Sequence, residues 1–542
     1  MPAAQGDNLQ YIQIRDFKAG ISDDPGANYP SGAAQRAGTF RCIANRTGAL
    51  TPLPARTQPF SMPVDGTPAP EARYGLDGLY APPISMLPTV LPFNPDFFPE
   101  HELMVGNEWL QGGNRHQILR RVRRFETPPT GMDTIKSVTG VDASTVLSPN
   151  GMTFGTTRSN RAAPTTMAGV PVVICGWTFG NSFQYLSEFP DDQAPTINTP
   201  YDIYSNTLFI LGIACHQGRV VAQLADSFGQ GVNVDTFMGE DIVWSGINDV
   251  TTGNWTTQPA IFVPENPSGF AFLAPMSANE LFAVKLYGGM YVTGPLPAAF
   301  VTSLPMVTGS EVSQRPAISN QGVWYGNGTS GVWMWAHGDT SQLMSPSLLP
   351  DFWLLDTPEG NEFDTFGGIR YQFARQDEWI LVPNNWLYDQ QLQSWWRLED
   401  PSLIQIRNFT SVSRIIYGSE SFYTNSYLTP IHQWERGIPT ASYSWQSQPL
   451  WETIGNLTDI RQISVRAVGQ GTVTVTLTGE TSVSQPIQFQ VDSTLPVLRR
   501  QQVRLQDANI AVKIESVGAT TAPTVYECDL GYFGAQLETS LV

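Results

Sequence analysis

The chain has 542 residues, including 48 Gly and 42 Pro, with 14% charged and 11% aromatic side chains. So much turn-forming and aromatic residue with so little charge excludes a helical bundle and fits short strands joined by many turns. The net charge of −18, from 48 acidic against 30 basic residues, excludes sequence-independent nucleic-acid binding as the chain's main work, because such binding neutralises phosphates with Lys and Arg.

The opening, MPAAQGDNLQYIQIRDF, has no basic stretch followed by an apolar one, so no secretory signal is expected. Residues 1–70 are rich in Pro, Gly and Ala and contain one alternating run, YIQIRDF at 11–17. A segment of this kind cannot bury a core of its own, so it is read as an extended arm lying on its own propeller or on a neighbouring subunit.

Strand–turn–strand units begin near residue 71. HELMVGNEWLQGGNRHQILRRVRRFE (101–126) turns at Gly-Gly-Asn, and NTLFILGIACHQGRVVAQLADS (206–227) turns at His-Gln-Gly. DIVWSGINDVTTGNW (241–255), ELFAVKLYGGMYVTG (280–294), the units at 310–345 and 367–400, and RIIYGSESFYTNSYLTPIHQW (414–434) follow. Two of them, QGVWYGNGTSGVWMWAHGDTSQLMS and EWILVPNNWLYDQQLQSWWRL, carry Trp or Tyr on both strands around Gly- or Asn-rich turns. Each unit buries too little to stand alone; about six or seven of them, spaced by roughly 40 to 60 residues, predict a β-propeller over 71–438. Polar, Pro- and Thr-rich stretches at 127–170 and 179–203 are read as inserted loops. The longest apolar runs, VPVVICGW (170–177) and LFILGIAC (208–215), are of strand length and far short of a membrane span, so a soluble protein made in a cytoplasm is expected.

After 438 the pattern changes to strict alternation, as in DIRQISVRAVGQGTVTVTLTG (459–479). An antiparallel β-sandwich over 439–542 is predicted, with Ile463, Val465, Val473, Val475, Leu477, Val503, Val512, Ile514 and Tyr526 in its core. The overall expectation is an all-β chain: propeller, inserted loops and C-terminal sandwich.

Signals for chemistry are weak. His101, His116, His216, His337 and His432 lie on or beside expected turns without ligand spacing, and Cys42, Cys175, Cys215 and Cys528 are too scattered for a disulfide framework or zinc site. The cysteines are read as buried thiols. Gly326, Gly328 and Gly331 spell GxGxxG, but a strand follows where a phosphate-binding helix would start, so a tight turn is expected. SGINDVTTGNW (245–255) departs from the sialidase Asp-box spacing and reads as a structural turn. Trp333/Trp335 and Trp395/Trp396 read as packing between blades rather than sugar platforms. No cofactor, metal or catalytic residue is expected.

In its order of motifs the chain resembles the tail nozzle or tail tubular proteins of tailed bacteriophages. The resemblance rests on IRDFKAGISDDPGANYPSGAAQRAGTF (14–40), VWSGINDV (243–250), the Gly-Val-Trp repeat of 322–333 and the Leu-Tyr-Asp…Trp hairpin of 387–395. It implies a non-enzymatic virion protein forming a homohexameric ring below the portal and adaptor, through which double-stranded DNA exits. Portal-adaptor and other tail proteins are the expected partners, with no membrane. Arg15, Asp16 and Phe17, and the basic run Arg120, Arg121, Arg123 and Arg124, are the candidate oligomer contacts. Asp191, Asp192, Glu240, Asp241, Asp351, Glu359 and Glu362 are candidate lumen-facing acids, since carboxylates repel DNA in transit. The competing expectations are a carbohydrate-binding or carbohydrate-cleaving propeller at a host surface, or the distal hub of a long tail.

Overall fold

A computed structural model describes residues 9–23 and 33–56, the strands between 91 and 244 largely as backbone, and 270–534 apart from short segments, the longest being 355–370 and 421–430. Among the described residues, seven sheets follow in chain order over 91–123, 154–202, 208–244, 270–304, 317–343, 374–397 and 406–439. Their strands are antiparallel within each sheet, apart from two short parallel additions to the last, and chain neighbours are mostly sheet neighbours. The first strands of successive sheets lie side by side: Phe154–Thr157, then Leu208–His216, then Phe270–Ser277. Gln314–Arg315 and Tyr371–Gln372 continue the series as a parallel seam onto Ile406–Val412. Successive sheets joined side by side in chain order, with a parallel seam between the later ones, are arranged as blades around an axis, and the fold is a β-propeller. Within 127–203, where composition pointed to inserted loops, Phe154–Thr157, Val172–Gly176, Ser182–Glu188, Thr196–Ile197 and Tyr201–Asp202 form the second blade.

Packing between blades explains the aromatic hairpins. In the fifth blade, Val323–Asn327 pairs with Gly331–Trp335 and successive side chains point to opposite faces, yet nearly all are buried. Val323, Tyr325 and Trp335 pack on Phe272, Phe282 and Val284 of the fourth blade, with Trp335 stacked on Phe282 at 4.1 Å between centroids and 3° between planes. Trp324 and Met334 face the other way, and Trp324 meets Tyr388 of the sixth blade at 5.0 Å. The turn between the strands is the GxGxxG run: Gly331 has φ +102°, and Gly326 is pressed so closely on the Trp353 ring that a Cβ there would lie 2.3 Å from it. In the sixth blade Asn384 and Asn385, both at positive φ, turn Trp379–Val382 into Trp386–Asp389. Asn385 also donates to Ile404 O (2.6 Å) and accepts from Ile406 N (3.1 Å), tying that turn to the seventh blade.

The last blade is completed from the beginning of the chain. Pro54–Arg56 pairs antiparallel with Ile431–Pro439, covering an edge that would otherwise be open. The preceding residues enter the C-terminal sheet: Gln10–Ile14 pairs with the final strand Thr524–Gly534, as does Leu50–Pro52, on which Cys42–Ala44 pairs in turn. The backbone hydrogen bonds of the described arm residues, 9–23 and 33–56, go to this same chain.

The C-terminal region is an eight-stranded antiparallel sheet that closes most of the way into a barrel-like sandwich. Its spine is Thr458–Thr478, which pairs on one edge with Ile487–Asp507 and on the other with Thr524–Gly534 and then Ala511–Gly518. Of the residues expected in the core, Ile463, Val465, Val473, Val475, Leu477, Val512 and Ile514 are buried. Val503 and Tyr526 are only partly so. The register shift at Arg466/Ala467 places an extra residue in the final strand, so Val525 and Cys528 face inward and Tyr526 does not.

Candidate functional site

A buried polar cluster lies where the N-terminal segment meets the propeller. Glu399, 1% exposed, follows the outer strand of the sixth blade. Its Oε2 accepts from Arg41 Nε at 2.8 Å and lies 2.7 Å from Arg41 Nη2, while its Oε1 accepts from the indole of Trp434 in the seventh blade at 3.2 Å. One carboxylate thus joins the arm and two blades, and burial strengthens each contact because little water competes. Backbone bonds run alongside: Ile21 N–H donates to Trp395 O (2.8 Å) and Arg41 N–H to Arg397 O (2.9 Å). Arg397 lies over the Trp386 ring at 4.5 Å, with Arg36 beside the same ring at 5.6 Å. Burial, then the Arg36 charge, brings Arg397 down to about 10.

Arg15 donates to Asp529 Oδ2 at 2.9 Å and lies 3.6 Å from Glu527, both in the final strand. Its hydrogen bond to Asp529 raises its pKa. Asp16 accepts from Lys18 N–H at 3.1 Å, shaping the turn that follows. Phe17 is fully buried, edge-on to Trp445 at 4.9 Å, which corrects its assignment as an oligomer contact. Arg15 and Phe17 thus join the arm to the C-terminal sheet of their own chain. No local signal could have found the Arg41–Glu399 pair, whose members are 358 positions apart.

Arg120, Arg121 and Arg123 lie in the strand Arg115–Arg123, opposite Met104, Leu103 and His101. Arg124 lies outside the described residues. Of the acids, Asp241 starts the strand Asp241–Trp244, opposite Leu224. Asp191, Asp192, Glu240, Asp351, Glu359, Glu362 and the 245–255 segment lie outside the described residues. His216, beside the turn at Gln217, and His432, in the strand Ile431–Pro439, are 3% and 2% exposed. Burial lowers the His216 pKa, keeping that ring neutral. Cys42 and Cys528 are buried thiols, and burial raises both.

A second cluster spans the fourth and fifth blades. Glu280 accepts hydrogen bonds from the Tyr291 hydroxyl and from Ser277 Oγ (2.8 Å), and lies 3.3 Å from His337 Nε2. The Tyr291 and Ser277 bonds lower the Glu280 pKa, while burial and the Glu280 carboxylate push Tyr291 up to about 12. The carboxylate is thus ionised and the phenol neutral near pH 7. Tyr291, Trp335 and His337 pack ring against ring, at 5.2 and 5.8 Å from Tyr291, so the cluster clamps two blades. Glycoside hydrolysis uses two carboxylates flanking one bond; here the carboxylate's described partners are a phenol, a hydroxyl and an imidazole. Among the described residues no group of three or more His, Cys, Asp and Glu is placed to hold a metal, and no helix is long and apolar enough to cross a membrane.

No protein-family model and no curated protein matches the chain. Among solved structures, the chain is similar to a puromycin hydrolase S511A mutant complexed with PGG, at 9% identity over 72% of this chain and 62% of that one, TM-score 0.40. It is similar to YCF48 bound to D1 peptide, at 9% identity over 68% and 93%, TM-score 0.33. An exo-β-1,3-galactanase from Phanerochaete chrysosporium matches at 11% identity over 81% and 80%, TM-score 0.24. Identities and scores this low carry no argument about what the chain does.

Proposed function

We propose that this chain is a structural virion protein of a bacteriophage tail, forming an oligomeric ring, a nozzle of six copies, through which the genome exits during infection. The observation that carries the reading is the ordered set of motifs at 14–40, 243–250, 322–333 and 387–395. Mechanical closure supports it. The same N-terminal segment completes the last blade, pins Glu399 and enters the C-terminal sheet, so forces on one region pass to the other through hydrogen bonds rather than a free linker. The excess of 48 acidic over 30 basic residues supports a conduit that DNA passes without being gripped. Electron microscopy of the assembled particle, with this chain labelled, tests the proposal. A ring on the tail axis with an open passage is the expected result. A chain remote from the axis, a ring without a passage, or a strongly basic passage wall would overturn it, and cleavage of host surface polysaccharide by the purified chain would replace it with an enzymatic role.

A further inference from the structure

The strand Ile487–Asp507 pairs along one edge with Thr458–Thr478 and, among the described residues, has no strand on its other edge. Its ends are anchored by buried Ile487, Phe489, Val491 and Leu505, while its middle stands in solvent, with Leu495 71% and Leu498 42% exposed. From 497 to 502 the register against 462–467 is unbroken. It is bounded on one side by Pro496 and on the other by the shift between Ile460 and Gln462. Alternate backbone N–H and C=O groups of this stretch therefore point outward without a strand partner, the arrangement that accepts an added strand.

The stretch is also basic in an acidic protein. Arg499, Arg500 and Arg504, and Arg466 opposite Leu498, are exposed and have no ion pair among the described residues. Arg15, Arg36, Arg41, Arg436 and Arg461 all do. Just beyond the open stretch, Val503 and Arg504 join Arg461, Gln462, Gln502 and Phe533 in lining a cleft of about 610 Å³.

We infer that residues 497–502 are a docking edge for an extended, acidic segment of another protein, which adds as a strand and reaches the cleft between Arg461 and Arg504. Three observations select that occupant. A two-fold pairing with a second copy would set arginines against arginines, which is repulsive at this spacing. The outer strands of the fourth and fifth blades, Phe300–Leu304 and Gln342–Leu343, carry no carboxylate to offer from another copy. A nucleic-acid backbone supplies phosphate acceptors, whereas a strand edge presents donors and acceptors in alternation and is matched by a polypeptide. The inference is independent of the tail reading.

The test is hydrogen exchange and fluorescence anisotropy on the full chain with a labelled peptide of about eight residues alternating Glu and Val, long enough to span the open stretch. The expected result is saturable binding that slows exchange at 497–502 by about tenfold or more, lost on N-methylating the peptide's pairing edge and weakened about tenfold, or 1.4 kcal/mol, in R499E/R500E. Equal protection by an oligothymidylate of the same charge would overturn it in favour of a simple anion site. Concentration-dependent burial of the same amides without peptide would overturn it in favour of a second copy. Absence of any protection by the peptide would also overturn it.

Discussion

The propeller blades and the C-terminal sheet solve the same problem with different side chains. In the fifth and sixth blades the central strands are covered on both faces, and the fill is aromatic: Trp324, Trp335, Trp386 and Trp396 are nearly or fully buried, each indole donating a hydrogen bond, to Ser319 Oγ, Gly338 O, Phe352 O and Ser394 Oγ respectively. In the C-terminal sheet, Val473, Val475 and Leu477 are buried while Thr472, Thr474 and Thr476 between them stay partly exposed. A flat blade must fill a wedge between two neighbours, which rings do well, whereas one-sided strands need only aliphatic alternation. The difference teaches where each region is fragile: blades at their rings, the sheet at its register.

The largest effect is expected where the two regions are joined. Arg41→Ala leaves the Glu399 carboxylate buried with only the Trp434 indole, and a loss of about 3–5 kcal/mol is expected in denaturant unfolding. The double change R41M/E399M should recover most of it, because no unpaired charge then remains. If Arg41→Ala cost less than 1 kcal/mol, the joint would not bind the regions together.

Within the propeller, Trp335→Ala removes the ring stacked on Phe282, and about 3–5 kcal/mol is expected. Ile463→Val in the sheet should cost only about 0.5–1.5 kcal/mol. Equal losses at the two sites would erase the contrast. Gly326→Ala sharpens it further, since the new methyl meets the Trp353 ring; a loss of about 1–3 kcal/mol by overpacking is expected from the same unfolding curves.

The smallest effect concerns pH. Burial is the largest single influence and acts to raise the Glu378 pKa, but its bonds with Arg436, at 2.7 Å, a bond to its own backbone N–H and the charges of Arg436 and Arg46 together outweigh burial and lower it. The folded state therefore holds this proton more weakly than the unfolded one. The resulting stability is present above the ordinary carboxylate pKa and is lost as pH falls through the depressed folded value. Glu378→Gln should flatten the acid limb of the stability profile by under about 1 kcal/mol. An acid limb unchanged by that substitution would show that the bridge between the sixth and seventh blades contributes nothing.

How legible each region was in the sequence follows from the same contrast. Alternation names the inward residues of 459–479 directly; among the other expected core residues it fails at Val503 and at Tyr526, where a bulge shifts the phase. The blades show no alternation, and were readable through turns such as Asn384–Asn385 and Gly331 and through paired aromatics. The second blade was missed because its short strands lie in Pro- and Thr-rich sequence without aromatic pairs. The arm's destination was invisible: Arg15, Phe17 and Arg41 find partners hundreds of residues away, and no local pattern encodes a contact of that range.

The central claim is that residues 10–23 and 33–56 lock propeller and sheet into one unit within a single chain. Hydrogen exchange on the intact, peptide-free protein tests it most directly. The hydrogen-bonded amides of Gln10–Ile14 and of Ala55 and Arg56 should exchange as slowly as the paired amides of their partners Thr524–Gly534 and Ile431–Pro439, all opening together. Exchange of the arm about a hundredfold faster than its partner strands would contradict the account.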